Sequence, residues 1–224
     1  NTVPIVPKLN YINIFSIEDY HFFNDLEFTI LKRSQSNDSN PSESLRLELN
    51  NEIIKNSFKN NLLVFNKILL NNSFIDYYFN HNTKLNNKSL KNMVTFSSDL
   101  SFTKSNYFTP RLKIIMPLKI NNTDKINNED SNSITFNYQN QFSENRFFGN
   151  DLFDSSPRFV YGLESVMNKD NQKFSFKINQ SYETNLNSNY SNKINQFSKF
   201  SDYAIEAEIN KDIALFRIDS RLNQ

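Results

Sequence analysis

Apolar residues in this chain recur at every second position. Leu26, Phe28 and Ile30 alternate with Glu27 and Thr29, and Leu45, Leu47 and Leu49 are separated by Arg46 and Glu48. Val94, Phe96, Leu100 and Phe102 share one parity, with Thr95, Ser97, Asp99 and Ser101 on the other. The pattern returns at Leu112, Ile114, Met116 and Leu118, and at Ile134, Phe136 and Tyr138. It appears again at Phe174, Phe176 and Ile178, then at Ile205, Ala207 and Ile209. Successive side chains of an extended backbone point to opposite faces, so each segment predicts a strand with one apolar and one polar side. Roughly ten to twelve such segments, commonly longer than the ~5–6 residues usual in soluble proteins, make the chain all-β. Helical spacing is sustained nowhere.

Asparagine takes the place of glycine in the turns. The chain has 39 Asn and only 2 Gly, and Asn tolerates positive φ better than other non-glycine residues. The pairs Asn50-Asn51, Asn60-Asn61, Asn71-Asn72, Asn86-Asn87 and Asn121-Asn122 are therefore expected between or beside strands. Residues 34–44, 121–133 and 185–198 are rich in Ser, Asn and charge, lack core-forming residues, and read as loops. No shift in composition marks a domain boundary. The chain begins with Asn1 and has no charged-then-apolar leader, as expected of a mature chain or an internal fragment.

Two all-β architectures suit this pattern. A secreted sandwich buries one face of each strand against a second sheet. A transmembrane barrel turns its apolar face to lipid and its polar face to a wet lumen, and closure removes the sheet edges. Long strands and a polar opposite parity favour the barrel. So do 22 Phe and 10 Tyr, a content that also argues against the disorder suggested by a mean hydropathy of −0.62. Tyr77-Tyr78 would suit an interfacial aromatic girdle. No apolar run approaches the roughly 20 residues of a membrane helix.

The sequence is poor in catalytic chemistry. The absence of cysteine excludes disulfides, thiolate metal sites and thiol nucleophiles. The two histidines, His21 and His81, stand alone among aromatic and Asn residues. Two glycines cannot build a phosphate-cradling loop, and the Gly-x-Ser-x-Gly turn of a hydrolase nucleophile is missing. The Asp124, Glu129 and Asp130 cluster lacks the glycine and the alternating carboxylates of a calcium loop. With 25 basic and 24 acidic residues, no basic field exists for nucleic acid. No enzymatic role, cofactor or metal is expected.

Both glycines lie close together. Gly149 sits in Glu144-Asn145-Arg146-Phe147-Phe148-Gly149-Asn150-Asp151, and Gly162 in Arg158-Phe159-Val160-Tyr161-Gly162-Leu163-Glu164. A residue without Cβ permits positive φ or close backbone approach, so each is expected at a tight bend or bulge beside a strand. Arg146 and Asp151 would pin the first bend as a charge-assisted pair.

These residues carry a resemblance. Asn145 to Asp151, followed by Tyr161-Gly162-Leu163, resembles the Asn-Arg-Phe-x-Gly-x-Asp…Tyr-Gly-Leu signature of the LptD family of lipopolysaccharide-assembly outer-membrane proteins. Val3 to Tyr11 is similar to the family's early barrel strand, and Phe108-Thr109-Pro110-Arg111-Leu112 to its Glu-Pro-Arg-Leu strand start. Ile126 to Ser131 is similar to the Pro-Asn-Glu-Asp-Ser loop of alphaproteobacterial members, and Ser201-Asp202-Tyr203 also fits. The matches fall in one order over nearly the whole chain. Departures occur at Asn150, where relatives carry an aromatic or small residue, at Leu152, where they carry a basic one, and in the scarcity of glycine.

The resemblance implies that residues 1–224 are part of an antiparallel up-and-down transmembrane β-barrel. This would be a partial barrel without the periplasmic jelly roll and the closing strands. It implies a cell outer-membrane protein that takes lipopolysaccharide from an LptA-like periplasmic bridge and releases it to the outer leaflet through a lateral gate. An LptE-like lipoprotein would plug the barrel, and outer-membrane lipids would surround it. Arg146, Gly149, Asp151 and Gly162 are the structural-motif residues it implies. A different outer-membrane barrel, a porin or receptor, is the alternative.

Overall fold

A computed structural model describes residues 7–33, 41–80, 82–103, 108–121, 137–147, 152–169, 172–185, 199–211 and 214–222. Among the described residues ten strands are present: β1 (Lys8–Ile17), β2 (Tyr20–Lys32), β3 (Glu43–Lys59), β4 (Leu62–Tyr78), β5 (Asn87–Phe102), β6 (Thr109–Asn121), β7 (Arg158–Lys169), β8 (Gln172–Glu183), β9 (Tyr203–Lys211) and β10 (Ala214–Leu222). They form one antiparallel sheet in sequence order from β1 to β10. The two outermost strands are not paired with each other, so the sheet is an unclosed, up-and-down partial barrel. Among the described residues, helix is confined to one 3-10 turn at Thr83–Leu85 and a four-residue helix α1 (Tyr138–Gln141).

The alternation of the sequence is the alternation of the faces. Along β3, Leu45, Leu47 and Leu49 are exposed, while Ser44, Arg46 and Glu48 between them are buried. Along β5, Thr95, Ser97 and Asp99 are buried on the same side. The antiparallel registers carry that parity from strand to strand, joining Arg46 to Ile75 and Ser97 to both Lys67 and Ile115. One slip interrupts it: Thr95 faces Pro117 and Val94 faces Lys119, so β6 bulges where proline lacks the N–H a ladder requires.

Connections at the two ends of the sheet differ. At one end only two residues separate β1 from β2, β3 from β4, β7 from β8 and β9 from β10. At the other end the connections 33–42, 79–86, 122–157 and 184–202 are long. Asn60 and Asn61 make the β3–β4 turn with φ of 52° and 64°, as expected of a two-residue hairpin with both residues left-handed.

Several expectations need correction. Asn50-Asn51 and Asn71-Asn72 lie within β3 and β4, where Asn71 Nδ2 donates to Asn50 Oδ1 at 2.5 Å across the strands. A cross-strand amide bond thus joins Asn71 to Asn50 without a turn. Tyr138 begins α1 instead of continuing a strand, because Asn137 caps the helix through a reciprocal bond with Asn140. Residues 43 and 44 belong to β3, not to the preceding loop. Tyr77 points to the buried side and only Tyr78 to the apolar one, since neighbours on a strand cannot share a face. His81, Ile134, Phe136 and the motif at 126–131 lie outside the described residues.

Candidate functional site on the polar face of the sheet

The described parts of the β6–β7 connection lie against the polar face of the middle strands and bury it there. Residues 137–147 and 152–157 come from the long-loop end and pack onto the inward parity of the middle strands. Tyr138 and Phe142 of the segment join Ile115 and Val160 of the wall in one apolar cluster. Phe153 joins Leu69 and Met93 in another. Cation–ring contacts add to this. Lys91 Nζ lies 3.4 Å from the Phe153 ring centroid, and the Arg111 guanidinium carbon lies 4.1 Å from that of Phe142.

Charge also fixes the segment. Arg146 is buried, with Nε donating to Asp154 Oδ2 at 2.5 Å and an amino group 2.7 Å from Glu183 Oε1 on β8. Arg158, at the start of β7, shares Asp154 at 2.8 Å and donates to the carbonyl oxygens of Ser143 and Glu144. Asn145 accepts from the backbone N–H groups of Phe147 and Asp154 and donates to the Leu152 carbonyl, closing the loop on itself. Two buried guanidinium groups thus flank one carboxylate. Burial pushes Asp154 up, but the adjacent Arg158 and Arg146 outweigh it and hold its pKa below the usual value.

A second centre surrounds Glu144. Its Oε1 accepts from Lys113 Nζ on β6 at 2.7 Å and from Ser97 Oγ on β5 at 2.7 Å. Lys67 Nζ on β4 lies 3.5 Å from Oε2. Burial would raise this carboxyl, yet Lys113 and Lys67 hold its pKa down to about 2. Next to it, Arg111 holds Asp99 at 2.6 Å and Glu164 at 2.9 Å, and the Tyr138 hydroxyl donates to Glu164. Burial first, and then the carboxylate, push the Tyr138 phenol up. Further along, Glu206 is buried between Lys177 and Arg217, each at 2.6 Å.

Arg146 is therefore at the centre of the site, but its described carboxylate partners are Asp154 and Glu183. Gly149 and Asp151, and with them the expected Arg146–Asp151 pair, lie outside the described residues. Gly162 marks neither a bend nor a bulge. It lies inside β7, and a Cβ there would come within 2.6 Å of the Ile178 carbonyl oxygen and 2.9 Å of Asn179 Cβ. Close backbone approach is the reason for the glycine. Asp154, Glu183, Glu144 and Arg111 were not assigned roles from sequence; the signal that could have found them is their place on the polar parity or within the motif stretch. Among the described residues, no group of three or more His, Asp or Glu is placed to hold a metal ion.

What the arrangement offers is a polar, ion-paired wall on one side of the sheet and an apolar wall on the other, with part of one loop held against the polar wall. No curated protein matches the chain. The family model described as LPS transport system D, LptD, matches residues 2–216.

Proposed function

The chain belongs to the LptD family, and from that premise we propose that it forms part of the wall of a barrel moving lipopolysaccharide from a periplasmic bridge to the outer leaflet. The family serves lipopolysaccharide transport and assembly at the outer membrane. The observation that carries the reading for this chain is the division of its sheet into two chemistries. The exposed parity of β3, with Leu45, Leu47 and Leu49, suits contact with acyl chains of the membrane. The opposite parity, with Arg46, Glu48, Lys91, Ser97 and Asp99, suits a hydrated sugar and its phosphates. Such transport needs no covalent step, and no residue is assigned a catalytic role.

In this reading the acyl chains leave through a lateral opening between strands while the sugar passes through the lumen. An LptE-like lipoprotein fills the remaining lumen, and an LptA-like protein delivers the cargo from the periplasm. Residues 1–224 act as part of the barrel domain, and Arg146, Gly149, Asp151 and Gly162 as its structural motif, with Arg146 securing the infolded segment to the wall.

The test is depletion of the full-length protein in its host, following how much newly made lipopolysaccharide becomes accessible to a modifying enzyme added outside the cell. Arrest of surface arrival while other outer-membrane barrels still assemble is the expected result. Unchanged arrival would overturn the transport reading.

A further inference from the structure

Three donors of the polar wall converge on a carboxylate that the wall does not own. Glu144 belongs to the infolded segment, whereas Lys67, Ser97 and Lys113 come from three successive strands, β4, β5 and β6. Lys67 and Ser97 face each other directly in the β4–β5 register, and Lys113 pairs with Asp99, two positions along the same face. The register therefore places Lys67, Ser97 and Lys113 side by side on one face of the sheet, and Lys113 Nζ also donates to the Phe142 carbonyl at 2.7 Å. The site is largely buried: the Lys67, Lys113 and Glu144 side chains are 21%, 10% and 12% exposed, and Ser97 is 1% exposed.

We infer that Lys67, Ser97 and Lys113 form a seat for a phosphate oxyanion of the transported glycolipid, which Glu144 occupies as a built-in competitor until a stronger anion displaces its carboxylate. The inference rests on the transport reading for the identity of the cargo, though not for the chemistry of the seat. Compact ammonium groups are point-charge binders of phosphate, and a hydroxyl supplies a directed hydrogen bond. Glu144 brings one negative charge, whereas a phosphate monoester carries about −1.5 to −2 near neutral pH. A phosphate thus satisfies the same donors with more charge. Lys67 is also 2.8 Å from Glu52, which tempers its field without removing it. Because Glu144 is held ionised down to about pH 2, displacement by a stronger anion, not protonation, is the way to vacate the seat near neutral pH.

Glu144 is suited to leave because the segment is fastened elsewhere as well. The Arg146, Asp154 and Arg158 group holds the chain beyond it, and the cluster with Tyr138 and Phe142 holds the chain before it. Residues on both sides keep their anchors while the carboxylate moves.

The experiment uses the full-length protein purified with whatever lipoprotein accompanies it, the wild type alongside Glu144→Gln, Glu144→Asp and the double variant Glu144→Gln/Lys113→Gln. Binding is measured for purified lipopolysaccharide, for the same lipopolysaccharide after enzymatic removal of its phosphates, and for inorganic phosphate. Glu144→Gln removes the competing charge and is expected to tighten binding of the phosphorylated lipid on the order of tenfold, the worth of one charge-assisted contact. The dephosphorylated lipid gains nothing, and the double variant loses the gain. Glu144→Asp, which keeps the charge but withdraws it by one methylene, gives a smaller gain and serves if the glutamine variant does not assemble. A gain for inorganic phosphate equal to that for the lipid assigns the seat to free phosphate and overturns the cargo assignment. No gain in either single variant, or an equal gain for the dephosphorylated lipid, overturns the seat itself. Depletion separates the two claims. If surface arrival stops but Glu144→Gln binds no tighter, transport stands and the seat falls; if arrival continues but binding tightens for phosphate, the reverse holds.

Discussion

A methyl group at residue 162 would have nowhere to go. It would meet the Ile178 carbonyl oxygen at 2.6 Å, and backbone yields less readily than the end of a flexible side chain. Gly162→Ala is expected to cost about 1–3 kcal/mol through overpacking, read as a lower urea midpoint of the full-length protein in micelles. Arg146 is a more severe case. Replacing it by Met takes from Glu183 its 2.7 Å guanidinium partner and from Asp154 its 2.5 Å one. The expected loss is about 3–5 kcal/mol, typical of breaking a buried ion pair from one side, measured in the same titration. Acid supplies a third test. Glu144 has a folded pKa of about 2 against an ordinary 4.5, so the folded state holds its proton more weakly than the unfolded one. Its stabilising contribution is complete above the unfolded value and disappears as pH falls from about 4.5 towards 2. Asp154, also lowered from 3.8, acts in the same direction. Glu144→Gln should flatten the acid limb of the stability curve, and an unchanged limb would contradict the assignment of that shift to Glu144.

Elements were legible wherever local rules decide them. The alternation of β3, β5 and β6 was visible in the sequence because a period of two follows from backbone geometry alone. The start of β6 at Thr109 lies within the Phe108 to Leu112 motif. Asn pairs were not decisive, because the same side chain serves a turn at Asn60-Asn61 and a cross-strand amide pair at Asn50 and Asn71. Only the register separates the two uses. Substituting Ala for Asn60, held at φ 52°, is expected to cost about 1–2 kcal/mol, the penalty for an ordinary residue in the left-handed region. Substituting Ala for Asn51, extended within β3, should cost less; equal losses in urea titrations would refute the distinction. Tyr138 shows the converse failure. Its alternating context suggested a strand, and a reciprocal Asn137–Asn140 cap made a helix turn instead.

At the scale of the molecule, two chemistries divide the sheet, one apolar parity and one polar. Leu49, on the exposed parity of β3, is read as facing lipid, and Leu49→Lys is expected to cost about 2–4 kcal/mol at mid-membrane depth, read as loss of heat-modifiable gel mobility after assembly. A lysine at Asn56, on the opposite parity of β3, should leave that mobility unchanged. The sequence by itself determined the all-β class, the strand-by-strand choice of apolar and polar faces, and, through its ordered motifs, the family. Each is a property of neighbours along the chain, where covalent geometry carries the signal. Only the tertiary structure decided that residues 137–147 and 152–157 fold back over the polar wall and that Arg146 is held by Asp154 and Glu183. It also decided that Glu144 meets Lys67, Ser97 and Lys113. Those contacts join residues up to 77 positions apart, Lys67 and Glu144. Charge complementarity over such a span has many equivalent solutions in a sequence, and only strand register and loop path select one.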